Sequence, residues 1–129
     1  MWNRVEDFDA TQMDVALADH ALVKASLMRV TLHIVTADDY PTLHEAMQRT
    51  LRAARFHDPR FKVAGLTVAE VEALLPELLE FTAQPRSNSE MESWLDERHG
   101  RVLERPGIWW AMRQVGPCVH APVGGPWSC

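Results

Sequence analysis

Cysteine is scarce in this chain: only Cys118 and Cys129 occur, both near the C-terminus. Their spacing suits no metal set, and free thiols are the expectation. Long hydrophobic runs are missing too, and none approaches the roughly 20 residues that a membrane helix needs. The opening Met1-Trp-Asn-Arg-Val-Glu6 lacks the pattern of a secretory signal, so a cytoplasmic location is expected. Positive charge is in deficit. Thirteen Lys and Arg against 18 Asp and Glu leave −5, which argues mildly against a nucleic-acid partner, because phosphate binding needs local positive potential. Internal repeats, low-complexity tracts and flexible linkers are absent from the sequence. So are a phosphate-cradling glycine loop, a Ser-His-Asp context and zinc-ligand spacing. His44-Glu45 resembles the start of a zinc-protease motif, but position 48 is Gln where a second His is required. Neither a metal nor a cofactor is expected.

What remains is ordinary globular chemistry. A hydrophobic fraction of 47% with 24% charged residues excludes disorder. The 129 residues suit one domain or a little more, and folding at that size buries roughly two-thirds of the unfolded surface. The distribution of charge matters more than its sum. Arg49, Arg52, Arg55, Arg60 and Lys62 form one basic group; Arg98, Arg101, Arg105 and Arg113 form another. Each group is either a solvated face or a phosphate-facing one.

The most informative stretch is Met28-Arg-Val-Thr-Leu-His-Ile-Val-Thr-Ala-Asp-Asp-Tyr40. Val30, Leu32 and Ile34 alternate with Arg29, Thr31 and His33, the period-two pattern of a half-buried strand. Thr36 or Asp38 then caps a helix from about Asp39 to Arg55, with Pro41 in its first turn. Tyr40, Leu43, Met47, Leu51 and Ala54 mark the buried face, and Gln48, Arg52 and Arg55 lie along another. Before this unit, Asp9-Ala-Thr-Gln12 opens a short helix to Ala18, and Leu22 to Ser26 reads as a lead-in to the strand.

From Gly65 the pattern changes to three helical segments and a Gly/Pro-rich hairpin. Thr67-Val-Ala-Glu70 is a capping box for a helix to about Thr82, apolar at Val68, Val71, Leu74, Leu75, Leu78 and Leu79. Pro76 inside it predicts a kink or a lost hydrogen bond. Ser87-Asn-Ser-Glu90 opens a shorter helix with Met91, Trp94 and Leu95 inward and Gly100 at its end. A third helix runs from near Pro106 to about Val115. Two extended runs about Gly124-Gly125 follow as a hairpin with edge-like pairing. Helix, short helix, helix and hairpin is the order of a winged helix-turn-helix, whose third helix enters a major groove. The fold class expected is therefore mainly α (α+β). Residues 65–129 form a winged helix-turn-helix whose wing is truncated. Before it, a helix, strand and long helix in residues 1–64 form the C-terminal part of a first winged-helix-like unit.

Three segments carry a resemblance to a known family. Leu27-Met-Arg-Val-Thr-Leu-His-Ile-Val-Thr-Ala-Asp-Asp39 is similar to the core string of the bacterial winged-helix DNA glycosylases related to AlkZ. Val119-His-Ala-Pro-Val-Gly-Gly-Pro-Trp127 resembles their wing, and Trp2-Asn-Arg-Val-Glu-Asp-Phe-Asp9 resembles the lead-in to their first helix. The resemblance implies tandem winged-helix units acting on alkylated or crosslinked DNA. It also implies a Gln-x-Gln or Gln-x-Asp catalytic motif upstream of the lead-in. This chain begins at that lead-in; Gln12-Met-Asp14 spells the motif, but in the following helix. The expectation is thus an internal fragment that binds double-stranded DNA without catalysing by itself, and no catalytic residue is assigned. One alternative is a DNA N-glycosylase whose active site another segment or subunit completes. Another is a winged-helix module for protein contact.

Seven residues are candidates for nucleic-acid contact. Arg29, Thr31 and His33 share the polar face of the expected strand; the plainer reading gives Arg29 a neighbouring acid and leaves His33 a satisfied, half-buried side chain. Arg105, Trp109 and Arg113 lie on the third helix, where Arg suits phosphate and guanine geometry. Trp109 and Trp110 cannot both face one side, so one belongs to the core. His120 in the wing is the seventh, set to meet either a phosphate or a carboxylate.

Overall fold

The structure, a computed structural model, describes residues 6–65, 67–99, 109 and 112–122. Its sheet is an antiparallel pair, β1 (Leu22–Ser26) and β2 (Leu32–Thr36), with Leu22 opposite Thr36 and Ser26 opposite Leu32. A tight turn joins them, closed by the Leu27 amide donating to the Thr31 carbonyl at 3.0 Å, with a single 3-10 turn at Met28–Val30 between. Arg29 and Val30 both take positive φ, 55° and 59°. For a β-branched residue such as Val30 that backbone costs on the order of 1–3 kcal/mol and persists only where its surroundings impose it.

This turn corrects the sequence reading in two ways. The strand starts at Leu32, not Met28, and the segment expected as a lead-in is itself a strand. Its facing is also inverted. Val23 and Val35 pack on the cluster of Ala25, Leu27 and Tyr40, whereas Leu32, expected inward, is 54% exposed. A strand's faces swap with every one-residue slip, so a turn inside the assumed strand reverses the assignment beyond it.

Among the described residues five helices accompany the sheet and make the fold mainly α: α1 (Ala10–Ala18), α2 (Tyr40–Phe56), α3 (Pro59–Ala64), α4 (Val68–Phe81) and α5 (Asn88–His99). Helix α1 starts at Asp9, whose carboxylate accepts from the Thr11 amide at 2.8 Å. At the start of α2, Thr36 rather than Asp38 is the polar anchor: its Oγ1 accepts from the Asp39 amide and donates to the Asp39 carboxylate. Of the three expected capping boxes, that of Asp9 and Gln12 is replaced by the single Asp9 bond to Thr11, and the other two form. Thr67 and Glu70 exchange bonds before α4, as do Ser87 and Glu90 before α5. The Ser87 amide and hydroxyl hold the Glu90 carboxyl below the usual carboxylate range. Helix α4 runs through Pro76 without interruption. Pro59, read only as a terminator of α2, also begins α3, where its missing N–H costs nothing.

The main core gathers Val71, Leu74 and Leu78 of α4 with Met91, Trp94 and Leu95 of α5, joined by Phe61, Met112 and Val115. Val68 and Leu79, expected in that stripe, are exposed. Helix α2 departs further. Its buried positions are Tyr40, His44, Leu51 and Arg55, while Leu43 and Ala54 face outward. Arg55 is 7% exposed because its Nε donates to Oε1 of Gln114, itself 4% exposed, and Gln114 Nε2 reaches Ser26 Oγ at 3.3 Å. A second polar ladder runs from His44 through Gln48 and Arg52 to Glu72, an ion pair at 2.6 Å. The Tyr40 hydroxyl donates to the Cys118 carbonyl at 3.3 Å. Helix α2 is therefore tied by polar bonds to α4 and to the C-terminal segment.

Residues 118–121 do not turn back on themselves within the described region. The His120 amide donates to the Lys24 carbonyl at 2.8 Å, an antiparallel bridge to the edge of β1 that β2 leaves open. The expected hairpin turn at Gly124-Gly125, the helix start near Pro106 and Gly100 lie outside the described residues. No described helix is long and apolar enough to cross a membrane.

Candidate nucleic-acid interface

The seven candidate residues fall into two groups and one remainder. Arg105 lies outside the described residues. Arg29, Thr31 and His33 do not share a strand face, because Arg29 sits in the left-handed turn and Thr31 leaves it. Thr31 and His33 nevertheless meet. The Thr31 hydroxyl donates to the Met28 carbonyl at 2.9 Å, and His33 Nε2 lies 2.9 Å from Thr31 Oγ1 and 3.2 Å from the same carbonyl. A proton on Nε2 serves both oxygens, so this ring locks the turn that presents Arg29 and Met28, both exposed, to solvent.

Trp109, Arg113 and His120 come together around a cleft of about 310 Å³, together with Ser26 of β1 and Arg86 and Asn88 at the start of α5. Each wall has a local cause. Trp109 and Arg113 are one helical turn apart, with the Arg113 amide donating to the Trp109 carbonyl at 2.9 Å. The indole N–H of Trp109 donates to Asn88 Oδ1 at 2.8 Å while its ring packs against the main core. The bridge to Lys24 places His120 on the opposite wall. Arg86 is held at the rim, its Nε donating to the Phe81 carbonyl and its guanidinium 4.3 Å over the Phe81 ring.

Electrostatically the cleft differs from the protein as a whole. No Asp or Glu lines it among the described residues, whereas two guanidinium groups do. Arg113 Nε is buried and has no hydrogen-bond partner among the described residues. A buried donor without a partner costs on the order of 1–3 kcal/mol, more when charged, so it is a standing preference for an acceptor. Burial pushes the His120 imidazole below its ordinary range, and the charges of Lys24 and Arg113 push the same way. At neutral pH His120 is therefore an uncharged donor and acceptor. Burial pushes Cys118, a free thiol on the same wall, up, which disfavours its thiolate form.

Sequence reasoning missed Ser26, Arg86 and Asn88. Ser26 belongs to a strand that went unread, and Asn88 was seen only as part of a capping box. Arg86 follows Pro85 in a loop, where no periodicity marks it. Among the described residues no cluster of three or more His, Cys, Asp or Glu side chains is set to hold a metal ion.

In comparison with known proteins, the family model described as DNA glycosylase AlkZ-like matches residues 1–128. No curated protein and no solved structure matches the chain at a significant level.

Proposed function

The chain belongs to the AlkZ-like DNA glycosylase family, and from that premise we propose that it binds double-stranded DNA through the cleft bounded by Trp109, Arg113 and His120. Residues 65–129 act on this reading as a winged helix-turn-helix, with α4, α5 and the helical turn at Trp109 in sequence order, and residues 1–64 as part of a first such unit. The observation that carries it is a cleft lined, among the described residues, by Arg86 and Arg113 and by no carboxylate, with Arg113 Nε lacking a hydrogen-bond partner there, in a protein of net charge −5. Arg113 and Arg86 meet phosphate oxygens, which guanidinium groups match in geometry. The exposed Arg29 at the β1–β2 turn supplies a further backbone contact, with Thr31 and His33 keeping the turn rigid.

Binding is the function proposed for these residues; no step of base excision is assigned to them. A second reading, favoured by the family membership itself, is a glycosylase acting on alkylated or crosslinked DNA whose active site another segment or subunit completes.

The test is fluorescence anisotropy of the purified chain with a labelled duplex across a salt series. Phosphate contacts release counterions, so affinity falls steeply with salt, and losing one contact lowers the log–log slope by about one. Arg113→Ala is expected to weaken binding and reduce the slope by that amount. Absence of salt-dependent binding by a folded sample refutes the proposal. Release of base from alkylated duplex establishes the second reading.

A further inference from the structure

We infer that two copies of this chain associate through the outer edge of β2, pairing antiparallel about Ile34 so that the sheet continues across a two-fold axis. The alternation of the ladder shows which backbone groups are available. The Ala37 amide donates to the Ala21 carbonyl and the Leu27 amide to the Thr31 carbonyl. In the register of this sheet, residues 31, 33, 35 and 37 therefore bond to β1. Leu32, Ile34 and Thr36 turn their N–H and C=O groups to the far side, where Leu32 and Ile34 make no backbone hydrogen bond among the described residues. The opposite edge shows what such groups do when a strand is offered: the Lys24 carbonyl, turned away from β2, takes the His120 amide.

An open edge recruits other strands unless lysine, proline or a bulge blunts it. Strand β2, Leu32-His-Ile-Val-Thr36, has none of these and pairs with β1 without a bulge. Apolar surface lies beside it, since Leu32 and Met28 are more than half exposed. Two features select a second copy as the occupant. The first is register. Pairing about Ile34 sets Leu32 opposite Thr36 of the other copy and Ile34 opposite itself, so all three outward residues are matched. Moving the centre to His33 sets Thr36 against the turn at Val30. The second is charge. With Ile34 at the centre, Arg29 of each copy comes abreast of Asp39 of the other, with Asp38 beside it, and all three are exposed. No like charges oppose one another along the edge, and opposed like charges are what destabilise strand pairs. The contact is isologous and closes at two copies. With five residues per strand it belongs to the weak interfaces below roughly 1,200 Å² and forms with rising concentration. Because Arg29 is also a contact proposed for DNA, duplex and second copy compete for it.

The experiment is analytical ultracentrifugation of the full chain, without DNA, from micromolar to millimolar concentration, so its failure leaves the DNA-binding reading standing. The average mass is expected to rise from one copy towards two. Leu32→Lys blunts the edge at an exposed position and is expected to weaken association on the order of tenfold. Arg29→Asp suits the left-handed backbone at that position and is expected to weaken association, whereas adding Asp38→Arg to it restores the opposite charges and is expected to recover it. A wild-type chain that stays monomeric throughout overturns the proposal. So does a dimer that Leu32→Lys leaves unchanged, which places the contact on another surface, and so does growth beyond two copies. Failure of Asp38→Arg to recover the association lost in Arg29→Asp overturns the register about Ile34, and the proposal with it.

Discussion

Gln114→Ala tests the idea that a buried polar contact, and not an apolar face, fixes α2 against the C-terminal segment. In the native chain Gln114 Oε1 accepts from Arg55 Nε and Gln114 Nε2 donates to Ser26 Oγ. A hydrogen bond to a charged group contributes about 1.5–3 kcal/mol net, and a neutral one of 3.3 Å adds less than about 1. Arg55 has a further interaction, so the change weakens its anchorage without isolating a buried charge. The expected loss is therefore about 2–3 kcal/mol. At roughly 3–5 °C per kcal/mol for a chain of this size, Tm falls by about 6–15 °C. Ser26→Ala, which removes only the weaker bond, is expected to cost less than about 1 kcal/mol. Calorimetry or a circular-dichroism melt reads both. A Gln114→Ala melt within about 2 °C of wild type refutes the reasoning, because it would mean that Arg55 stays satisfied without Gln114. The double variant Arg55→Met with Gln114→Met provides a further check. Replacing both partners by apolar side chains is expected to cost less than removing one.

Other expectations follow from packing, capping and titration. Leu78 is fully buried in the main core, so Leu78→Ala is expected to cost about 2–5 kcal/mol in urea unfolding, whereas Val63→Lys at a site 76% exposed is expected to stay within about 0.5 kcal/mol. Thr67→Ala removes one half of the capping box of α4 and is expected to cost about 1 kcal/mol by the same measurement. Acid is expected to weaken the fold. Burial lowers the imidazoles of His44 and His120 from the ordinary 6.5, with Gly116 opposing at His44 and the nearby cations reinforcing at His120. The unfolded chain therefore binds more protons than the native chain just below pH 6.5. Stability is complete above that pH and is lost as pH falls through the window between it and the depressed values. Urea midpoints from about pH 8 to about pH 5.5 read this trend, which His44→Gln should flatten.

How much of this was legible in the sequence depends on the range of the interactions. Capping boxes are local, closed over three residues; those at Thr67 and Ser87 were placed correctly, while at Asp9 only the single cap bond to Thr11 forms. The inward set of α5 was also read correctly, because Met91, Trp94 and Leu95 are all apolar and recur at helical spacing. Helix α2 was misread for the opposite reason. Its inward positions include His44 and Arg55, and the partner that allows Arg55 to be buried is Gln114, 59 residues away. Periodicity of apolar residues cannot register a polar side chain that is buried because it is paired. The turn between β1 and β2 was invisible too. It uses Arg29 and Val30 where a turn signal would show Gly, Asn or Pro. Of the candidate site, Trp109, Arg113 and His120 were named from sequence, but not that they share a cleft, since a strand unread as such supplies the facing wall.

That strand also explains how two groups of candidates about 90 residues apart come to share one framework. Along one edge β1 pairs with β2, whose first residues carry His33 and the locked turn. Along its other edge the Lys24 carbonyl takes the His120 amide. Ser26, two residues on, reaches the cleft on one side and Gln114 on the other. The exposed Arg29 turn and the cleft are thus not independent patches joined by a flexible chain. They are joined through the five residues of β1, of which Lys24 is itself only 8% exposed. A shared strand is what the proposed contact with one continuous DNA duplex would demand, because phosphate contacts orient a protein only when their spacing is held.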